Sequence, residues 1–134
     1  MKVEEIEGVG PAFGEKLEAA GIATTDDMLA KGGSRAGRIT LAETTGIDAA
    51  KILEWVNHVD LMRIKGVGSE YSDLLEAAGV DSPPELAHRN AANLAVTFQE
   101  VVAARPGIVR RVPSESEVEG WIEQAKGLPK VVEH

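Results

Sequence analysis

The sequence contains no cysteine, which excludes disulfides, thiolate zinc sites and a cysteine nucleophile. Aromatic residues are scarce: two Trp, two Phe and one Tyr make up 4% of the 134 residues. A core must therefore be built from Leu, Ile, Val and Ala, and the 43% apolar content is enough for one. No apolar run approaches the roughly 20 residues of a membrane helix. The opening MKVEEIEGVG is acidic and lacks the apolar stretch of a signal peptide. Positive charge is in deficit as well, with 14 Lys and Arg against 22 Asp and Glu and a net charge of −8. The expectation is a soluble, cytoplasmic, helical protein of one or two small domains, with no membrane partner.

An internal repeat is present. Residues 6–22 (IEGVGPAFGEKLEAAGI) and 64–80 (IKGVGSEYSDLLEAAGV) share nine of seventeen positions at an offset of 58. Among them are Gly8/Gly66, Val9/Val67, Gly10/Gly68 and Gly21/Gly79, with Phe13/Tyr71 and Gly14/Ser72 as close substitutions. A looser correspondence pairs 41–56 with 86–101 at an offset of 45, through Leu41/Leu86 and Ala42/Ala87. Read this way, the chain is two units, 1–60 and 61–134. The first carries an extra thirteen residues that hold a basic, glycine-rich insertion at 31–38.

Local patterns predict helices throughout. Phe13, Leu17 and Ala20 recur at helical spacing after Gly10 and end at Gly21, and Tyr71, Leu74, Leu75 and Ala78 do so before Gly79. Ser82-Pro83-Pro84-Glu85 and Ser114-Glu115-Ser116-Glu117 are helix-start signals. Asp48 is expected to cap a helix from Ala49 to about Leu61. Residues 108–113 should form an extended connector before a last helix that carries Trp121, and 130–134 are expected to fray.

Gly-Val-Gly between helices suits a very tight turn whose valine pins the loop to the core. The following helix starts with its unpaired N–H groups directed outward, where they attract an anion. Ile6 to Gly14 and Ile64 to Ser72 resemble the helix-hairpin-helix motif, and Thr45-Gly46-Ile47 and Asn90-Ala91-Ala92 sit where degenerate second hairpins would follow. The stretches GRITLAETTGI, WVNHVDLMRIKGVGSEYSDLLEAAGV and IVRRVPSESEVEGWIEQAK are similar to the domain of unknown function 4332 family. This resemblance implies an all-α fold: two tandem double helix-hairpin-helix (SAM-like) units packed as one compact body. It brings no established activity. The hairpin motif itself implies sequence-independent DNA binding, with phosphates on the turn amides of Gly8, Val9 and Gly10 and of Gly66, Val67 and Gly68. A monovalent cation is sometimes held by the turn carbonyls.

Charge argues the other way. Glu4, Glu5, Glu7, Glu15 and Glu18 surround the first turn, and Pro11 removes an N–H from its helix start. Glu70 and Asp73 occupy the opening turn of the helix after the second, although Arg63 and Lys65 precede it. Phosphate affinity comes chiefly from Lys and Arg that displace counterions, and neither unit is basic. Candidate nucleic-acid contacts are Arg35 and Arg38, Arg63 and Lys65, and Arg110 and Arg111. The last two are also placed to pair with Glu115, Glu117 or Glu119. Trp55 and Trp121 are candidate protein contacts, or core residues.

No nucleophile–base arrangement, phosphate loop ending in Gly-Lys-Ser/Thr or metal-ligand spacing occurs, so neither catalysis nor a metal or cofactor is expected. Two readings follow. The first is a non-catalytic helical module for protein–protein interaction or assembly, bound to a protein partner or to itself. The second is a weak, sequence-independent binder of DNA or RNA backbone through the hairpins, which the net charge disfavours.

Overall fold

Short polar side chains start most of the helices. A computed structural model describes residues 1–134 as an all-α chain of eight helices: α1 Gly10–Ala19, α2 Thr25–Gly32, α3 Arg35–Thr45, α4 Ala49–Leu61, α5 Ser69–Ala77, α6 Pro83–Ala87, α7 Ala91–Ala104 and α8 Glu115–Gly127. Side chains of Thr24, Ser34, Ser82, Asn90 and Ser114 accept the orphan N–H groups of α2, α3, α6, α7 and α8. Asp48 does the same for α4, its carboxylate 2.9 Å from the Ala50 nitrogen. At α2 the Asp27 carboxylate bonds back to the amides of Ala23 and Thr24, and these bonds hold its pKa below the ordinary value. There is no sheet; a single bridge pairs Lys2 with Thr24. None of the helices is long and apolar enough to cross a membrane.

The chain divides into two units. One comprises 1–60 with 131–134, the other 61–130. In the first, Val3, Ile6, Leu17, Ile22, Met28 and Ile52 are buried, α2 packs on α3, and α1 packs on a short 3-10 turn at Val3–Glu5. In the second, α8 packs against α6 and α7, over a core that includes Leu74, Leu75, Leu86, Phe98 and Trp121.

Backbone bonds repeat at the 58-residue offset. Val9 N–H donates to Ile6 O and Val67 N–H to Ile64 O, both at 3.0 Å; Ile22 N–H donates to Leu17 O and Val80 N–H to Leu75 O, both at 2.9 Å. The correspondence runs on through the helix ends. Lys31 Nζ bonds Gly21 O at 3.2 Å, and Arg89 Nη2 bonds Gly79 O at 3.1 Å, each placing a cation on a helix C-terminus. The caps Thr24/Ser82, Ser34/Asn90 and Asp48/Ser114 then align α2 with α6, α3 with α7 and α4 with α8.

This register corrects the expected insertion at 31–38. That stretch is the end of α2, the Ser34 cap and the start of α3, all with counterparts in the second unit. The extra length lies in the second unit instead, in the longer α7 and in the connector between Arg105 and Pro113. Glycine is required at 31–38 by close packing. A Cβ at Gly32 would lie 2.6 Å from Val56 Cγ2, one at Gly33 2.8 Å from Leu29 O, and one at Gly37 would collide with Lys31 O. The fraying expected at 130–134 is also corrected. Val132 is buried, and Glu133 N–H donates to Gly33 O at 2.8 Å.

Candidate functional site

The two Gly-Val-Gly turns have the same internal frame. Val9 and Val67 point into their cores. Gly8 and Gly66 adopt φ of +89° and +98°, a conformation that side-chain-bearing residues avoid. Each lies against a tryptophan: a Cβ at Gly8 would be 3.5 Å from Trp55 Nε1, and one at Gly66 would be 3.1 Å from Trp121 Nε1. The first aromatic residue of the following helix covers the same indole. Phe13 and Trp55 have ring centroids 5.2 Å apart, and Tyr71 and Trp121 also 5.2 Å, both in tilted contact. Trp55 is 2% exposed and Trp121 3%. Neither offers a free surface, and both serve as the plates on which their turns rest.

Around that frame the two turns differ. At the first, Gly10 is also left-handed (φ +65°) and begins α1 itself, with Pro11 next to it. The ammonium groups of Lys51 and Lys16 sit 5.4 and 6.0 Å from the Phe13 ring centroid. At the second, Gly68 is an extended N-cap (φ −98°) with no side-chain cap, and Glu70 follows in the first turn of α5. The side-chain amide of Gln124, on α8, brackets the turn. Its Oε1 accepts from Lys65 N–H at 2.9 Å, and its Nε2 donates to Lys65 O at 3.1 Å. Gln124 carries no local sequence signal, because its partner lies 59 residues away and is backbone.

The candidate arginines bond oxygen atoms of their own units. Arg38 is 4% exposed. Its guanidinium donates to Gly32 O at 2.8 Å, Gly33 O at 3.0 Å and Glu133 O. Burial lowers its pKa from the ordinary arginine value, and Glu133 works in the opposite direction. The glycine-rich surroundings of Arg38 suggest an exposed loop; in the folded unit it is an interior bond donor. Arg35 donates to His134 O at 2.7 Å, and Arg63 to Pro129 O at 2.9 Å.

Arg110 and Arg111 follow each other in the connector and part company at their side chains. Arg110 pairs with Glu70 (3.1 Å), not with α8. Arg111 makes two parallel bonds to Glu117, at 2.7 and 2.9 Å, and its carbonyl accepts from the Tyr71 hydroxyl at 2.9 Å. The Arg111 bonds, with help from the Ser114 amide, hold the Glu117 carboxyl at about 2, while Glu117 raises the guanidinium above its ordinary value. Arg105 pairs with Asp73 at 3.6 Å. The Lys65 side chain, beside the second turn, is exposed.

Neither the curated proteins nor the solved structures contain a match to this chain. A family model does match it, over residues 7–128, which takes in both turns, both tryptophans and all eight helices. The chain therefore belongs to the family described as Domain of unknown function (DUF4332).

Proposed function

We propose that the chain is a non-catalytic helical binding module, made of two tandem helix-hairpin-helix units of the SAM-like kind, and that its partner is a protein. The observation that carries this reading is the commitment of the basic side chains. Arg35, Arg38, Arg63, Arg110 and Arg111 all bond carbonyl or carboxylate oxygens within their own units. Phosphate binding draws its affinity from cations that exchange counterions for the nucleic-acid backbone. Arg38 is buried and Arg111 is held by two bonds to Glu117, so either must give up its partners to reach a phosphate. The hairpin mouths lean the same way, with Pro11 at one and Glu70 at the other.

The outer side of α7 supports a protein partner. Glu100 is the one charged residue in its 14, and Ala92, Val96 and Ala103 are exposed, Val96 by 54%. An exposed valine on a helix with a single charge suits protein contact.

The second reading, nucleic-acid backbone, is favoured by one feature, the exposed Lys65 next to Gly66–Gly68. Fluorescence anisotropy of a labelled duplex at low and moderate salt separates the two. The module reading expects no binding at tens of micromolar protein. Binding that falls steeply with salt, and that Arg63→Glu with Lys65→Glu abolishes, would replace it with the second.

A further inference from the structure

We infer that the corner between α2 and α3 of the first unit is a peptide receptor for the segment Val131–His134, and that a second copy of this chain can fill it in trans. The inference rests on the binding-module reading and deepens it by naming one site and its ligand.

The segment is held by Gly33, Arg35 and Arg38 of this corner, with Asn57 of α4 beside it. Gly33 O accepts from Glu133 N–H at 2.8 Å. Arg35 N–H, at the start of α3, donates to the Glu133 carboxylate at 2.8 Å, which places a negative charge on a helix N-terminus. The Arg35 guanidinium takes His134 O, and the buried Arg38 guanidinium takes Glu133 O. His134 Nε2 lies 3.0 Å from Asn57 Oδ1. Val132 is 1% exposed and supplies the apolar anchor. A Cβ at Gly33 would lie 3.0 Å from Val131 O, so the absence of a side chain there is what admits the segment. Main-chain pairing, a helix-start carboxylate and one buried aliphatic residue together make a short-peptide recognition site.

The way the segment is tethered makes it exchangeable. Leu128 leaves α8 with extended dihedrals, and residues 128–134 carry no helix. Pro129 lies in this stretch, where its carbonyl is held by Arg63 of the second unit. No helix has to unwind for the segment to leave. Every copy carries the same segment and the same receptor, so reciprocal exchange remakes each bond twice, in a closed two-fold arrangement. Occupation within one chain is favoured at low protein concentration, because a short linker gives millimolar effective concentration. Exchange between copies gains as concentration rises.

The test uses full-length variants, each checked for retained helix by circular dichroism. Val132→Asp weakens the segment and leaves the receptor intact; Arg38→Met does the reverse. A labelled peptide spanning residues 128–134 is titrated by anisotropy. It should bind Val132→Asp at least tenfold more tightly than the wild type, whose receptor is already filled. That affinity should fall at least tenfold when Arg38→Met is added. Should Arg38→Met lose helix, Arg35→Ala serves in its place, with a loss of at least threefold. In sedimentation equilibrium at several hundred micromolar, an equimolar mixture of Val132→Asp and Arg38→Met (or Arg35→Ala) should contain a heterodimer beyond the self-association of either alone. The receptor is overturned if the peptide binds neither protein, or binds the single and double variants alike. Peptide binding without a heterodimer overturns the exchange between copies. Neither failure touches the module reading, which the duplex titration decides separately.

Discussion

At the first Gly-Val-Gly turn both glycines are left-handed and α1 starts on the second of them; at the second turn only Gly66 is, and Gly68 is an extended cap. Lysines flank the aromatic ring at one, while a tyrosine hydroxyl bonded to Arg111 O and a bracketing glutamine mark the other. The valine plug, the glycine against an indole nitrogen and the aromatic ring at 5.2 Å on that indole are common to both. What the two units share is packing. What they do not share is the chemistry at the turn's mouth, where a ligand would be held. A duplicated ligand site would be expected to repeat its donors and charges; these turns repeat their supports.

The largest way to break the comparison is to remove its plates. Trp55→Ala and Trp121→Ala should each cost about 3–5 kcal/mol in chemical denaturation, from lost burial and the cavity left behind. If either costs under about 1 kcal/mol, that indole is not a support.

The glycine substitutions come next and distinguish the turns. Gly10→Ala places a side chain at φ +65° and should cost about 1–2 kcal/mol, whereas Gly68→Ala, at φ −98° with open space around it, should be near neutral. Equal costs at the two positions would mean that the turns are strained alike.

The Arg111–Glu117 pair gives the second unit a pH signature. Glu117 titrates at about 2 when folded, below the ordinary carboxylate value near ~4.3. Its contribution is therefore fully present above that ordinary value and lost as pH falls through about 2. Denaturation of wild type and Glu117→Gln should show the wild type more stable at pH 6, with the gap closing between about pH 4.5 and 2. A gap independent of pH would separate the effect from the ion pair. The smallest effect is at the helix ends. Lys31→Met and Arg89→Met should each cost about 0.3–1 kcal/mol by removing a cation from a C-terminal carbonyl.

Much of this was legible in the sequence, because the signals are local. The caps at Asp48, Ser82 and Ser114 and the C-terminal glycines at 21 and 79 each depend on residues within one or two turns of one another, and the 58-residue repeat is read by matching two contiguous stretches. The register of the later helices is not fixed by the apolar pattern, because Leu and Ala recur every three or four residues along any amphipathic helix and stay in phase at many offsets. The tryptophans fix it better: each stands seven residues after its cap, Trp55 after Asp48 and Trp121 after Ser114. Arg38 and the 131–134 segment were hidden for a different reason. Each looks like surface locally, and each is held by the other across 95 residues of chain. Burial created by such a distant pairing leaves no periodic trace.

The proposed module reading treats the duplicated turns as packing supports and not as ligand sites. The most direct measurement is an amide nuclear magnetic resonance titration of the full chain, first with inorganic phosphate and then with a short duplex at low salt. Amide resonances of residues 8–10 and 66–69 are expected to stay in place through millimolar phosphate and excess duplex. Saturable shifts confined to Gly66–Ser69 and reversed by added salt would contradict the account.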